Sequence, residues 1–212
     1  MDRTTTIVEA IRSVGSDAVA IDLETPPGFD AAPGQFVKFS LPAVSDDSRF
    51  YTVSSPAVRD TFEITVEIDP DGELGPHIAD LAVGDEVAIS GPFGSAYYEG
   101  EDRVVVLAGG PGVGPAIGIA ERALDDDGEA ALVYRDDEPI HADRLDALAD
   151  RGAFVRLPET DGGVADAARE AITGDPDEQV FVYGFADFLD VATDAIETAG
   201  GDAEAAKVEN FG

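Results

Sequence analysis

Two hydrophobic periods divide the chain. Up to about residue 100, apolar and polar positions alternate over short runs: "TTTIVEAIRSV", "DAVAIDLE", "GQFVKFSL", "RFYTVSS", "TFEITVEID" and "GDEVAISG". Alternation of period two marks half-buried strands. Turn-forming stretches such as "TPPGFD" and "DPDG" separate them. Six strands with one short helical stretch, "LGPHIADL", predict a closed antiparallel β-barrel over residues 1–98, because closure leaves no edge unpaired. From residue 103 the pattern changes. "RVVVLA" is continuously apolar, as a strand buried on both faces must be. A helical pattern follows, "GPAIGIAERAL", and strands "AALVYR", "AFVRLP", "QVFVYGF" and "AAKVENF" then alternate with helices "ADRLDALAD", "VADAAREAI" and "DFLDVATDAIETAG". This alternation predicts a doubly wound, five-stranded parallel α/β domain over residues 103–212. "GSAYYEGED", residues 94–102, contains the boundary.

Composition narrows the class. The 212 residues suffice for one large or two small cores, and 44% hydrophobic content is that of a globular chain. There are 45 acidic and 13 basic residues, a net charge of −32. Such a surface repels nucleic acid and anionic lipid. It points to a very salty cytoplasm as its solvent, so carboxylate clusters are discounted as sites. With no cysteine, the chain has no disulfide, zinc–thiolate site or cysteine-ligated iron–sulfur cluster. The first residues carry no apolar signal segment. The longest uncharged run, Val104 to Ala120, is too short and too rich in Gly and Pro to span a bilayer. The expectation is a soluble cytoplasmic protein with no nucleic-acid partner and no membrane insertion. A Ser-His-Asp hydrolase is disfavoured: His77 and His141 are the only histidines and no G-x-S-x-G occurs.

Two stretches carry candidate chemistry. Gly109, Gly110, Gly112 and Gly114 lie between the first parallel strand and its helix, with Pro115 in the first helical turn. Glycines there let a backbone approach a pyrophosphate at free helical N–H groups; they equally suit a tight strand–helix turn that binds nothing. The second stretch is "RFYTVSSP". A guanidinium can grip a diphosphate with two parallel hydrogen bonds, so Arg49 reads as an anion-binding residue or as a stray surface charge. Strand alternation puts Arg49 and Tyr51 on one face, Phe50 and Thr52 on the other.

Three stretches stand in one order along the chain: Arg49-Phe50-Tyr51-Thr52, Gly91-Pro92-Phe93-Gly94, and Gly109-Gly110-Pro111-Gly112-Val113-Gly114-Pro115. Together they resemble the R-x-Y-[ST], G-P-x-G and G-G-x-G-x-x-P motifs of the ferredoxin–NADP reductase-like flavoprotein family, over essentially the whole chain. The resemblance implies FAD on the barrel and NADH or NADPH on the parallel sheet. It implies that Arg49 and Phe50 belong to the flavin site, that Tyr51 packs on the isoalloxazine, and that Thr52 hydrogen-bonds the hydride-accepting N5. Glu67 and Ile68 would lend backbone to the flavin. Leu74, Gly75 and Pro76 would open a helix towards the pyrophosphate, although the family usually has Ser or Thr where this chain has Gly75. Gly109, Gly110, Gly112, Val113, Gly114 and Pro115, with Tyr134, Arg135, Gly184 and Phe185, would bind the nicotinamide nucleotide. Tyr183-Gly184-Phe185 departs from the family's C-G-P. Asp136 and Asp137 lean the reading towards NADH. Glu209 and Phe211 share one strand face and are either the acid and aromatic that many members place beside the flavin, or a surface Glu and a core Phe. The implied function is an FAD-dependent reductase that takes hydride from NAD(P)H and passes electrons to a separate acceptor such as ferredoxin or an oxygenase component. The alternatives are a reductase using diffusible flavin, and a flavin-bearing relay subunit that does not oxidise NAD(P)H.

Overall fold

The computed structural model describes residues 2–45 and 47–212; Met1 and Asp46 lie outside the described residues. Six antiparallel strands form the first sheet: β1 (Thr4–Ser13), β2 (Ala18–Glu24), β3 (Phe36–Ser40), β4 (Ser48–Thr52), β5 (Thr61–Glu67) and β6 (Glu86–Phe93). Their order is β4-β3-β6-β1-β2-β5. A bridge between Val53 and Ile64 joins the two outer strands and closes the barrel. Val8, Ile21, Val37, Phe39, Ile64 and Val87 point inwards and fill it. The single short helix, α1 (Gly75–Ala79), presses Ile78 against this core.

Five parallel strands form the second sheet: β7 (Arg103–Gly109), β8 (Glu129–Arg135), β9 (Phe154–Arg156), β10 (Glu178–Gly184) and β11 (Lys207–Asn210), in the order β11-β10-β7-β8-β9. The helices α2 (Val113–Asp125) and α3 (Ala142–Asp150) cover one face, where Val104, Val106 and Ala108 of β7 meet Ile117, Leu145 and Leu148. The helices α4 (Asp161–Ala171) and α5 (Ala186–Thr198) cover the other, against Val105 and Leu107. Period-two alternation therefore sends successive residues of one strand into different layers, and the strand reads as unbroken hydrophobicity. The chain reverses direction between β7 and β10. In open α/β sheets this is where ligands bind, beyond the strands' carboxyl ends.

The strand β5 joins the two halves. Phe62, Ile64 and Val66 face the barrel core, while Glu63 and Thr65 face out yet are buried as well, because α2 and α3 cover them. Arg144 of α3 donates to Glu63, to Glu121 of α2 and to the Ser54 carbonyl. Glu63 also accepts from Arg12. The Thr65 hydroxyl lies 2.8 Å from His141 Nε2 and 2.9 Å from Ser54 Oγ. Gly114 and Gly118 let α2 approach: a Cβ at Gly114 would lie 2.5 Å from Thr65 Oγ1, and one at Gly118 2.8 Å from the Ser54 carbonyl oxygen. On the far side, Tyr183 of β10 donates its buried hydroxyl to the Ala96 carbonyl. Lys207 of β11 binds the Tyr97 carbonyl and the Glu99 and Glu101 carboxylates. The connecting segment 94–102 is thus tied down at several points.

Burial pushes the His141 imidazole down to about 4, with Arg144 and Arg12 adding to the effect. In the unfolded chain the imidazole titrates near its ordinary value, so between about pH 6.5 and 4 the unfolded state binds the extra proton and stability falls as pH falls. The expected loss from this residue is about 2 kcal/mol at pH 4.5 relative to pH 7. His141→Gln should remove that share, and thermal melts of both proteins at the two pH values in fixed high salt check it. Equal pH sensitivity in the two proteins would contradict the buried neutral histidine.

Candidate active site

Where the open end of the barrel meets the carboxyl ends of the parallel strands lies a cavity of about 600 Å³, a size usual for a bound cofactor. The barrel contributes Arg49, Phe50, Tyr51 and Thr52 of β4, Glu67 of β5, Ile68 just beyond it, and Leu74 and Gly75 at the start of α1. The other half contributes Pro111, Pro115, Phe185 and Phe211. A second cavity of about 350 Å³ runs along the ends of β7 and β8, past Gly109, Gly110, Arg135, Asp136 and Asp137. Glu67, Pro111 and Phe185 line both, so the two spaces meet.

The polar groups of the first cavity are open to a ligand. Among the described residues Arg49 is the only cation in its lining, which also holds the carboxylates of Asp17, Glu67, Asp69 and Glu73. Among the described residues the Arg49 guanidinium makes one hydrogen bond, to the carbonyl of the preceding Ser48, and no ion pair. The Thr52 hydroxyl has no hydrogen-bond partner there, although the residue is only 8% exposed. Tyr51 stands edge-on to Phe39, ring centres 5.7 Å apart, and burial raises its hydroxyl to about 12, so the phenol stays neutral. Burial raises the Glu67 carboxyl, with Asp17, Asp136 and Asp69 adding to the effect. Phe211 stands at right angles to Phe185, 6.1 Å between centres, with its backbone N–H on the Gly184 carbonyl.

Several residues singled out in the sequence lie elsewhere. Tyr134 has no exposed surface; its hydroxyl donates to Asp136 and accepts from the Ile140 N–H, so it braces the turn after β8 and lines neither cavity. Val113 is wholly buried in the core of the second sheet. Gly112 is pressed against the Tyr183 backbone and Gly114 against Thr65 and Ser54, so those glycines serve packing within the chain. At Gly110, φ is +55° and nothing lies within 4 Å of a Cβ position, which leaves its surface open. Gly184 makes room for Phe188, and Pro76 is exposed outside the cavity. Tyr183, at the family's cysteine position, points away from the cavity towards Ala96. Glu209 is half-buried, within 3.7 Å of a Cβ position at Gly94, rather than in the cavity wall; burial raises its carboxyl. Gly75 explains itself: a Cβ there would lie 1.7 Å from the Asp69 carbonyl oxygen, so the turn from Asp69 to Gly72 leaves no space for the usual Ser or Thr. Sequence reasoning missed Phe188, which supports the ends of β7 and β10, and the network around His141 and Arg144.

A barrel closed against the switch point of a doubly wound sheet places two meeting cavities where open α/β sheets bind ligands. Residues 6–98 match the family model described as an oxidoreductase FAD-binding domain. Over 213 aligned positions the chain is 32% identical to the ferredoxin reductase component of 3-ketosteroid-9-alpha-monooxygenase from Mycobacterium tuberculosis, covering 93% of this chain and 58% of that one. It superposes on the ferredoxin reductase in carbazole 1,9a-dioxygenase with a TM-score of 0.86 at 18% identity, covering 100% of this chain and 70% of the other. Against the FAD/NAD-binding domain of nitric oxide dioxygenase from Vibrio cholerae the TM-score is 0.81 at 21% identity, covering 98% of each. Residues 6–98 belong to the oxidoreductase FAD-binding domain family, and over nearly its whole length the chain is similar to ferredoxin reductase components. It spans about half the length of the first relatives it matches. Among the described residues no helix is long and apolar enough to cross a membrane.

The cavity fits FAD: its lone guanidinium is unpaired, its buried threonine hydroxyl is unclaimed, and an aromatic ring lies beside them. A charge-assisted contact is worth roughly 1.5–3 kcal/mol, so Arg49→Ala should weaken flavin binding by about one to two decades while the barrel stays folded. Arg49→Lys should recover part of that loss, since an ammonium lacks the planar fork. Gly75→Ser, which restores the family's hydroxyl, should lower flavin retention rather than raise it. Bound flavin per protein at fixed high salt reads all three; wild-type flavin content in Arg49→Ala would remove that residue from the site.

Proposed function

We propose that the chain is an NAD(P)H-dependent FAD flavoprotein reductase, with residues 1–98 holding FAD and residues 103–212 the nicotinamide nucleotide. One observation carries this reading: Arg49 and Thr52, both open to a ligand, line a cavity that Pro111, Pro115 and Phe211 of the α/β half also line. Hydride transfer needs reacting atoms roughly 3–3.5 Å apart, and a shared cavity supports that approach without a hinge.

FAD, when bound, accepts a hydride as an electron pair and can release electrons singly. The protein's part is to bind, orient and shield. Arg49 would hold the pyrophosphate against the surrounding carboxylates. Tyr51, kept neutral, would pack on the ring. Thr52 would present its hydroxyl to the hydride-accepting edge. Phe211 and Phe185 would exclude water from the meeting point of the cavities. Glu209, its carboxyl raised by burial, can carry a proton near the Gly94 corner.

The donor is NADH. Arg135, the cation of the second cavity, pairs through Nη1 with the exposed Asp137 at 2.8 Å, while its buried Nε makes no hydrogen bond among the described residues and lies 3.8 Å from Asp161. Asp136 is held at the end of β8 by the Tyr134 hydroxyl, where it can accept ribose hydroxyls. A 2′-phosphate would meet Asp136, Asp137, Asp161 and Asp187 with no free cation in that cavity.

Ferricyanide reduction by the FAD-loaded protein in fixed high salt tests the function and the donor together. NADH should give at least about tenfold higher kcat/KM than NADPH, a difference of about 1.4 kcal/mol. Freeing Arg135 with Asp137→Ser and Asp161→Ser should narrow the gap. Flavin-loaded protein that neither nucleotide reduces would defeat the reading in favour of a relay subunit. A chain that retains no flavin, yet oxidises NADH when free flavin is supplied, would favour the diffusible-flavin alternative, to which the absent Ser/Thr at Gly75 lends its support.

A further inference from the structure

The two halves meet on two flanks. On one, Arg144 and His141 join α2 and α3 to β5. On the other, Tyr183 and Lys207 bear on the segment that connects barrel and sheet. Lys207 makes its contacts near the surface, where Glu99 is exposed. Tyr183 makes its contact with no exposed surface at all. It lines neither of the two meeting cavities, so ligand binding does not account for it. A buried tyrosine hydroxyl needs a partner, and here the partner is the carbonyl of Ala96, 87 positions back along the chain.

The contacts of this one residue run in both directions. Towards the barrel, the hydroxyl donates to Ala96 and lies against Gly34, where a Cβ would collide with the phenol oxygen. The Tyr98 N–H binds the Pro33 carbonyl and ties that turn to the connecting segment. Gly34 leads directly into β3: the Gln35 carbonyl accepts from the Val53 N–H at 2.8 Å, and Phe36 is in cross-strand register with Thr52. Thr52 is a residue of the larger cavity. Towards the sheet, the Tyr183 backbone abuts Gly112, between Pro111 and Pro115, and its ring centre lies 6.5 Å from that of Phe211. Pro111, Pro115 and Phe211 line the same cavity as Thr52. Burial, with Glu209 and Glu101 adding to the effect, raises the phenol, so it stays a hydrogen-bond donor.

We propose that Tyr183 is a positioning residue that sets the separation of the two cavity walls, and with it the approach of nicotinamide to flavin. The proposal rests on the reductase reading above. The side chain acts through Gly34 and Thr52 on one wall and through Gly112 and Phe211 on the other, without touching either nucleotide. A strut suits this task because packed interiors are hard to compress, and a misplacement of about 1 Å costs roughly 100-fold in rate. A neutral phenol on a backbone carbonyl fixes a distance without adding a charge or a reactive group to the site.

The test compares Tyr183→Phe and Tyr183→Cys with Lys207→Gln, which cuts a neighbouring contact to the same segment outside the strut. In the FAD-loaded protein, Tyr183→Phe should slow flavin bleaching by saturating NADH about tenfold, as a shift of about half an ångström would. Flavin content and the NADH dissociation constant should stay within about twofold of wild type. The long-wavelength absorbance of a nicotinamide ring stacked on flavin should weaken in parallel. Tyr183→Cys, which carries the residue usual in the family, should be slower still. Lys207→Gln should lower the melting temperature and leave the bleaching rate within about twofold. Wild-type rate and absorbance in Tyr183→Phe would overturn the proposal, as would a Tyr183→Cys protein faster than wild type. Equal slowing in Lys207→Gln would also overturn it, by making Tyr183 one stabilising contact among several. Flavin-free protein gives a readout independent of the reductase reading: the Tyr98 amide, held by Pro33, should exchange its hydrogen about tenfold faster in Tyr183→Phe. A wild-type protein that NADH cannot bleach defeats the reductase reading, whereas unchanged exchange at Tyr98 defeats the strut.

Discussion

The contact of Arg144 with Glu63 and Glu121 fixes the relation between the barrel and the parallel sheet. A guanidinium can satisfy two carboxylates and a backbone carbonyl from one planar fork, and here the acceptors come from β5, α2 and the Ser54 segment. Ion pairs taken from water return little net stability, but removing one partner leaves an unpaired buried charge. The interaction therefore fixes a geometry more than it adds stability. Gly114 and Gly118 allow the approach, Thr65 and His141 complete the polar contact, and Tyr183 and Lys207 close the opposite side. The cavity that could hold a flavin against a nicotinamide exists because these contacts set the distance between its walls.

The acidic composition shapes the site by contrast. Cations are few and most are neutralised locally, so an unpaired one is informative. Among the described residues the Arg49 guanidinium has only the Ser48 carbonyl as partner, whereas Arg135 pairs with Asp137.

Much of the fold was legible in the sequence. Period-two runs gave the six barrel strands, and the apolar "RVVVLA" gave the central parallel strand, because in each case burial writes directly into the pattern. The same logic concealed the interface. "TFEITVE" reads as a strand with one wet face, yet Glu63 and Thr65 are covered by α2 and α3, and nothing local to β5 announces a cover supplied from residues 113–150. The R-x-Y-T stretch led to the cavity because a guanidinium, an aromatic and a hydroxyl together suit one ligand. The glycine turn was harder to read. A glycine that admits a phosphate and one that admits a neighbouring strand look alike in sequence, and Gly112 packs against β10 and Gly114 against β5. Tyr183 likewise carries no local sign that its hydroxyl reaches Ala96, far away along the chain.

Anaerobic titration of the FAD-loaded protein with NADH, in salt sufficient to screen its charge, bears most directly on whether the two halves form one redox site. Bleaching of the flavin absorbance at one equivalent of NADH per bound flavin, with NADPH far slower, is the expected result. A flavin that remains fully oxidised under excess NADH, in protein whose folded state is verified by circular dichroism, would show that the shared cavity does not bring the two nucleotides together.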